Sequence, residues 1–331
     1  MDRRKFLMSA STVGTIAFLS PLIAACSSNG GSSTSTSGGS ASTTSKGRIG
    51  FSFAQPTIAL AVGVKRFASE RAKELGYEML YDNCQGKPDV QIQNLQSWIL
   101  QKIEAISVLP VDPTSLTSTQ IQAQSAGVKW TTYDYAAEGG DGEVLLSNDQ
   151  SGQLIADDVV KWINAQTNPP KVLLLTASVE PLVAERTSIP KHAIETMTKA
   201  TIVAVQDAFD QETGLTVTES ILAAHPDLSV VIGVNDDGAI GALKAFQNAG
   251  KKPADTYIAG QDGSLDALNA IKAGTSYKAT AALRIRALGY AVVDVVEALR
   301  TGKPHYTDSV SPVLVSVTDT QYLKSLIDDW S

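Results

Sequence analysis

The side chains that most often carry out catalysis or bind metals are few in this sequence. The three histidines, His192, His225 and His305, match no metal-binding spacing such as H-E-x-x-H. The two cysteines, Cys26 and Cys84, form no C-x-x-C pair and are too few for a disulfide framework. There is also no G-x-S-x-G motif and no glycine-rich phosphate loop after the first predicted strand. We therefore expect no enzymatic activity, no metal and no cofactor, and we expect Cys84 to be an inert loop thiol.

Composition indicates a globular chain, and its charge argues against a nucleic-acid-binding one. Of the 331 residues, 43% are hydrophobic and 18% are charged, which is enough apolar material for two medium-sized lobes. The formal net charge is -7, and this balance argues against nucleic acid or an anionic surface as the main partner.

Strand-like and helix-like segments alternate along the chain, as in βαβ units with a mostly parallel sheet. In the first half we predict strands at 48–53, 77–81, 105–109 and 129–133, with helices at 57–75, 90–101 and 116–126. In the second half we predict strands at 172–176, 201–205, 228–234 and 256–260, and an extended stretch at 310–317. Its helices are predicted at 184–200, 213–224, 238–249, 264–273 and 286–301. This is an α/β pattern of two doubly wound lobes, and ligands of such sheets lie beyond the carboxyl ends of the strands.

The N-terminal segment resembles a bacterial lipoprotein export signal. Residues 3–7 read RRKFL, similar to a twin-arginine signal, and an apolar stretch at 12–25 is too short for an ordinary membrane-spanning helix. The sequence LIAA directly before Cys26 resembles a lipobox, which implies a signal peptide at 1–25 and a lipid on Cys26. Residues 26–47 then form a tether rich in Ser, Gly and Thr. The alternative is an uncleaved N-terminal anchor with an incidental cysteine.

Three motifs in the second half carry a family resemblance. Residues 224–228 read AHPDL, residues 234–242 read VNDDGAIGA, and residues 260–263 read GQDG. In this order and spacing, the chain from 48 to about 317 resembles the type I periplasmic binding proteins of ABC importers, especially the ribose-binding group. The resemblance implies two lobes joined by three crossovers, with one lobe at 48–147 plus 284–310 and the other at 148–283 plus 311–331. It also implies a monomer, held at the outer face of the cell membrane, that delivers a small polar ligand to an ABC permease.

The same resemblance implies a set of ligand contacts, and each has a chemical rationale. Carboxylates accept strong hydrogen bonds from hydroxyl groups, a guanidinium offers a fixed fork of donors, an amide offers both donor and acceptor, and an aromatic ring packs against the C–H face of a sugar. The implied contacts are Ser52, Asp134, Asn148, Arg186, Phe209, Asn235 and Asp262. These groups suit a polyhydroxylated ligand, a sugar or polyol, better than a lipid.

The sequence departs from the ribose-binding pattern at several of these places. Residues 54–60, AQPTIAL, lack the two aromatic residues that ribose binders place after the first strand, so one stacking wall is missing or is supplied by Phe53. Tyr135 stands where an arginine is usual, and Leu283 where a glutamine is usual. The departures favour a sugar other than ribose, a polyol or another small polar molecule such as a nucleoside. Tyr135 is a candidate replacement contact.

Structural alternatives exist for several of the predicted contacts. Asn235 and Asp236 could cap the helix that begins near residue 238, and capping is the preferred role for Asp236. Asp262 could be a turn residue, Phe209 could pack a loop, and Arg186 could be a surface cation.

The function also has alternatives. A sugar-responsive repressor would need a helix-turn-helix headpiece, but residues 1–45 read as a signal and tether instead. A binding protein that presents its ligand to a chemotaxis or kinase partner stays open.

Overall fold

The computed structural model describes residues 45–179 and 181–330. Cys26, the predicted signal peptide and most of the predicted tether lie outside the described residues. The strands are β1 (Gly47–Phe53), β2 (Tyr77–Tyr81), β3 (Ala105–Leu109), β4 (Lys129–Tyr133), β5 (Gly142–Leu146), β6 (Lys171–Thr176), β7 (Thr201–Asp207), β8 (Leu228–Gly233), β9 (Tyr257–Asp262), β10 (Tyr277–Ala282), β11 (Tyr306–Val310) and β12 (Val313–Ser316). The α-helices are α1 (Ala59–Leu75), α2 (Pro88–Leu100), α3 (Thr117–Ser125), α4 (Asn148–Asn164), α5 (Glu185–Met197), α6 (Gln211–Ala224), α7 (Asp236–Asn248), α8 (Leu265–Lys272), α9 (Ile285–Arg300) and α10 (Thr320–Asp329).

The strands form two six-stranded sheets, each the centre of one lobe. The first lobe has the order β11-β5-β4-β3-β1-β2, and the second has the order β12-β10-β9-β8-β6-β7. Among the described strands, β12 pairs antiparallel with β10, whereas the other ladders are parallel. The predicted fold class, two doubly wound parallel-sheet lobes, is confirmed.

The chain passes between the sheets three times. It leaves the first sheet after β5, returns after β10, and crosses again between β11 and β12. The predicted extended stretch at 310–317 contains β12, whereas β11, which ends at Val310 and belongs to the other sheet, was missing from the prediction. Pro312 lies between them and has no backbone N–H to continue a ladder.

The prediction also lacked two further strands and two helices, namely β5, β10, α4 and α10. β10 reads YKATAA, so apart from Tyr277 its contribution to the core comes from small alanines that give little apolar signal. In α4, the buried Ile155, Val159 and Ile163 do recur at helical spacing, and this helix carries Asn148 at its first turn.

Glycines allow the paired helices of the second lobe to pack backbone to backbone. A Cβ atom on Gly152 of α4 would lie 2.4 Å from the carbonyl oxygen of Glu185 in α5. A Cβ atom on Gly214 of α6 would lie 2.2 Å from the carbonyl oxygen of Gly238 in α7. Only a residue without a side chain permits such an approach. The contact at Gly152 fixes the position of α5, which carries Arg186 next to Glu185.

The C-terminal end of α10 contacts both lobes. The indole N–H of Trp330 donates to the carbonyl oxygen of Gly263, 3.1 Å away in the second lobe. In the first lobe, the Arg66 guanidinium donates to the Trp330 carbonyl oxygen at 2.7 Å, and the Trp330 ring packs beside Gly63. This contact lies just beyond the strand end that carries Asp262.

Candidate ligand-binding site

Four polar side chains from both lobes meet in one buried cluster between the sheets. Asp134 follows β4 in the first lobe; Asn148 begins α4, Arg186 lies in the first turn of α5, and Asp262 ends β9 in the second lobe. The Asn148 amide donates to both carboxylate oxygens of Asp134, at 3.0 and 3.2 Å. The Arg186 guanidinium donates to Asn148 Oδ1 at 2.6 Å and to Asp262 Oδ1 at 2.6 Å. A continuous chain of hydrogen bonds therefore joins the lobes.

The cluster contains one cation and two acidic groups in a dry environment. Arg186 is only 4% exposed and Asp262 6% exposed, so the ion pair is almost fully desolvated. Burial raises the pKa of Asp134 to about 7, against the opposing effects of Arg186 and the Asn148 hydrogen bonds. Burial also raises the pKa of Asp262 to about 6, although Arg186 opposes the change. The alternative of Arg186 as a surface cation was wrong.

Both acidic residues have unusual backbone conformations. Asp134 has φ 54° and Asp262 has φ 115°, values at which most residues with side chains are disfavoured. The Asp134 N–H donates to the Val144 carbonyl at 2.8 Å, and the Asp262 carbonyl accepts the Leu283 N–H at 3.0 Å. These bonds hold each residue at the end of its strand with its carboxyl group in the cluster. Backbone strain of this kind is concentrated at functional sites.

A small cavity adjoins the cluster and is lined by both lobes. Its volume is about 40 Å³, well below the roughly 300–1,000 Å³ typical of small-molecule pockets. The lining residues are Phe53, Ala54, Gln55, Ile58, Leu60, Leu109, Tyr133, Asp134, Leu146, Leu182, Val183, Arg186, Phe209 and Asp262. A sugar can therefore enter only if the lobes separate or the cluster rearranges.

Four of the predicted contacts do not line this cavity: Asn148, which belongs to the adjoining cluster, and Ser52, Tyr135 and Asn235. Ser52 is fully buried within the first lobe, where its hydroxyl donates to Asp82 at 2.9 Å and accepts from Gln91 at 2.9 Å. Tyr135 lines a separate surface groove beside α3. Asn235 caps α7, accepting the Gly238 N–H at 3.0 Å.

Asn235 nevertheless supports the site indirectly. Its amide donates to the Phe209 carbonyl oxygen at 2.7 Å, which holds the loop that places Phe209 in the cavity wall. The amide thus has both its acceptor and a donor engaged within the second lobe. Through its hydrogen bond to the Phe209 carbonyl oxygen, Asn235 is a positioning residue for Phe209.

The preferred capping role of Asp236 was wrong, since Asn235 supplies the cap. The Asp236 carboxylate instead accepts from the Ser264 N–H at 2.6 Å, the Tyr277 hydroxyl at 2.7 Å and the Thr280 hydroxyl at 2.8 Å. It therefore ties α7 to β10 and to the turn after β9. Burial raises its pKa to about 7.

Two other positions behave as packing residues. Leu283 is 2% exposed and belongs to the hydrophobic core of the first lobe. Cys84 is completely buried, with its sulfur 3.6 Å from the Phe53 and Ala54 carbonyl oxygens, and burial raises the pKa of its thiol. A protonated, inaccessible thiol is unreactive, which agrees with the prediction that Cys84 is inert.

The aromatic wall of the cavity was only partly foreseen. Phe53 and Phe209 were candidates, and they line the cavity from opposite lobes. Tyr133 was not a candidate, although it directly precedes Asp134 at the carboxyl end of a strand. Its position at the end of the strand was the signal that could have identified Tyr133. The sequence could not indicate which way the Tyr133 ring points.

Known proteins share this fold and most of this sequence pattern. A family model described as "Periplasmic binding protein domain" matches residues 49–304. The chain belongs to this family. It is a solute-binding protein rather than an enzyme, and the family acts outside the cytoplasm.

Individual relatives agree. The ribose import binding protein RbsB of Bacillus subtilis is 28% identical over 258 residues, covering 77% of this chain and 82% of the relative. The galactofuranose-binding protein YtfQ of Escherichia coli is 27% identical over 237 residues, covering 68% and 74%. A crystal structure of an ABC transporter solute binding protein from Bacillus halodurans with bound myo-inositol has a TM-score of 0.76, at 23% identity, over 86% of this chain and 98% of that one. The last comparison bears on the fold alone.

The raised pKa values of the carboxyl groups in the cluster predict that the folded protein becomes more stable as the pH falls. Because the pKa of Asp134 and that of Asp262 are higher in the folded chain than in the unfolded one, the folded chain binds more protons between about pH 4 and 7. Asp236 acts in the same direction. The unliganded protein should therefore gain at least about 1 kcal/mol of stability from these groups as the pH falls from 8 to 5. Melting temperatures across this range measure the effect.

The Asp134→Asn variant is the control for this pH dependence. Asparagine tolerates the left-handed backbone at this position, and its amide oxygen can still accept from Asn148. The variant should show a shallower rise in melting temperature than the parent chain. Identical slopes in the two proteins would show that Asp134 does not contribute.

Proposed function

We propose that this protein is the substrate-binding lipoprotein of an ABC importer for a small polyhydroxylated ligand, a sugar or polyol. The observation that carries the proposal is the cluster of Asp134, Asn148, Arg186 and Asp262, which draws on both lobes and adjoins a cavity walled by Phe53 and Phe209. Hydroxyl groups need both acceptors and donors, and carboxylates and a guanidinium supply them. The aromatic rings offer flat apolar faces for the C–H groups of a sugar.

The relatives support the same ligand class. Those at 27–29% identity are named for import of ribose, for galactofuranose and for D-apiose, all of them sugars. We infer a sugar or polyol because the cavity lining combines the polar groups of Asp134, Arg186 and Asp262 with apolar side chains. The apolar lining from Ile58, Leu109 and Val183 would contact the less polar part of the ligand.

We propose that capture works by hinge closure. In the proposed mechanism, the lobes move apart about the three crossovers, the ligand enters, and its hydroxyl groups bind Asp134 in one lobe and Arg186 and Asp262 in the other. A ligand that interacts with both lobes stabilises the closed arrangement relative to the open one. The permease of the importer would then recognise the closed protein.

A thermal-shift screen of pentoses, hexoses, polyols and nucleosides tests the ligand class. A ligand that binds the folded state raises the melting temperature by mass action, and a concentration 100-fold above Kd adds about 2.7 kcal/mol of stability. We expect at least one sugar or polyol to do so, with no shift from nucleosides. A shift from nucleosides alone would contradict the carbohydrate assignment.

We propose further that a lipid on Cys26 holds the protein at the outer face of the membrane. No helix among residues 45–179 and 181–330 is long and apolar enough to cross a bilayer. The proposal rests on the LIAA sequence before Cys26 and on the Ser/Gly/Thr segment after it. Cells grown with a labelled fatty acid should incorporate label into the protein, and the Cys26→Ser variant should lose it. Equal labelling of the two proteins would contradict lipidation at this residue.

A further inference from the structure

Tyr133 carries a polar atom that the protein itself leaves without a partner. The side chain is completely buried, and among the described residues its hydroxyl has no hydrogen-bond partner. Buried hydroxyl groups are nearly always satisfied, so an exception calls for an explanation. The same residue lines the cavity between the lobes.

The ring of Tyr133 is held in place by other aromatic residues. Its centroid lies 5.6 Å from that of Phe51 and 5.4 Å from that of Phe53, in tilted arrangements. Such contacts fix the direction of the ring, and therefore the position of the hydroxyl group. The hydroxyl is preorganised rather than free to search for a partner elsewhere.

The charges around Tyr133 define what the hydroxyl can contribute. Asp134, Asp262 and Arg186 all act on it electrostatically, and burial keeps the pKa of the phenol well above its usual value. It therefore stays protonated and can both donate and accept a hydrogen bond. The carboxylates of the cluster only accept when ionised, and the guanidinium only donates.

We propose that the Tyr133 hydroxyl is a specificity-determining contact, which hydrogen-bonds one hydroxyl group of the bound ligand. This inference rests on the proposed function, since it takes the ligand to be a sugar or polyol. The ligand hydroxyl accepts from the Tyr133 O–H and donates to a neighbouring carboxylate. A ligand that lacks this hydroxyl leaves the phenol buried and unpaired, and a site of this kind discriminates strongly against such analogues.

The test begins with the Tyr133→Phe variant and the sugar or polyol that most raises the melting temperature of the parent protein. Calorimetry should show affinity weakened about tenfold, the loss expected for one hydrogen bond of about 1.4 kcal/mol. The melting temperature of the unliganded variant should stay the same or rise, because the hydroxyl has no partner to lose. A tyrosine with a purely structural hydrogen bond would instead lower it.

Tyr81→Phe is the matched control. Tyr81 belongs to the same aromatic cluster, with its ring centroid 6.4 Å from that of Phe51. Its hydroxyl already bonds Ser69 and the Lys65 carbonyl oxygen, at 2.6 and 2.7 Å. The variant should leave the affinity unchanged.

Monodeoxy analogues of the same ligand identify the partner hydroxyl. One analogue should bind the parent protein about tenfold more weakly than the complete ligand and bind Tyr133→Phe as well as it binds the parent. If Tyr133→Phe binds the complete ligand with parental affinity, the inference fails while the proposed function stands. If no sugar or polyol binds the parent protein, the proposed function fails and the inference fails with it.

Discussion

The Asp262→Ala variant is expected to lose at least about a hundredfold in ligand affinity and about 3 kcal/mol of stability. The affinity falls because the carboxylate can accept two charge-assisted hydrogen bonds from ligand hydroxyls in a desolvated site. The stability falls because Arg186, itself 4% exposed, loses the ion pair at 2.6 Å and keeps only Asp134 as a nearby opposite charge. Calorimetry with the best ligand of the screen and denaturant unfolding without ligand measure the two effects.

The double variant Arg186→Met with Asp262→Ala separates the two effects. Replacing both members of a buried ion pair by uncharged groups is often nearly neutral for stability, whereas removing one member is costly. The positive φ at residue 262 is common to the single and double variants, so any backbone strain cancels in their comparison. We expect the double variant to regain most of the lost stability and to remain unable to bind. Full binding by either variant would overturn the assignment of Asp262 to the site.

A second large effect is expected from Gly152→Val, at a residue that does not contact the cavity. The new Cβ atom would lie 2.4 Å from the Glu185 carbonyl oxygen and 3.3 Å from the Ile189 side chain, so α4 and α5 must separate. Overpacking of this kind costs about 2–3 kcal/mol. The shift also displaces Asn148 in the first turn of α4 and Arg186 next to Glu185, whose hydrogen bond is only 2.6 Å long. Ligand affinity should fall at least about tenfold.

Gln153→Val is the control for this prediction. Gln153 is the next residue of α4 and is exposed, with its amide bonded to Asp157 at 2.7 Å. Introducing valine at this exposed position should cost only about 0.5 kcal/mol of stability, the difference in helix propensity between glutamine and valine. Valine has a higher helix propensity than glycine, so propensity alone predicts no loss at residue 152. A loss there no larger than the loss at residue 153 would show that the contact with α5 does not explain the effect. Denaturant unfolding and calorimetry are again the measurements.

Both predictions concern the same polar cluster between the lobes. The polar cluster joins the lobes through Asn148 and Asp134, and a ligand at the proposed site would compete with these internal hydrogen bonds. Part of the binding free energy would therefore be used to open and rearrange the cluster. We expect ligand affinity to depend on how firmly α4 and α5 hold the side chains of the cluster. Gly152 and Asn235 contribute at this level, because they position Arg186 and Phe209.

The pattern of elements was largely predictable because it depends on local periodicity. Apolar runs such as VLLLT in β6 and the helical spacing of Val64, Phe67 and Ala68 in α1 depend only on neighbouring residues. The prediction failed at β10, where small alanines fill the interior of a crowded sheet. It also missed β11, an edge strand in which only Val310 is buried. Neither feature has a local periodic signal.

The α/β class, the two-lobe organisation and the family were predictable from residue types and their order along the chain, which also contains no recognisable catalytic motif. The polar residues that share one cluster were identified by the folded structure. The fold places Ser52 and Tyr135 outside the cavity lining and makes Asn235 the helix cap, and it leaves the Tyr133 hydroxyl without a partner among residues 45–179 and 181–330. The physical reason is that a hydrogen-bond partner is set by positions brought together from distant parts of the chain, and spacing along the chain does not contain that information.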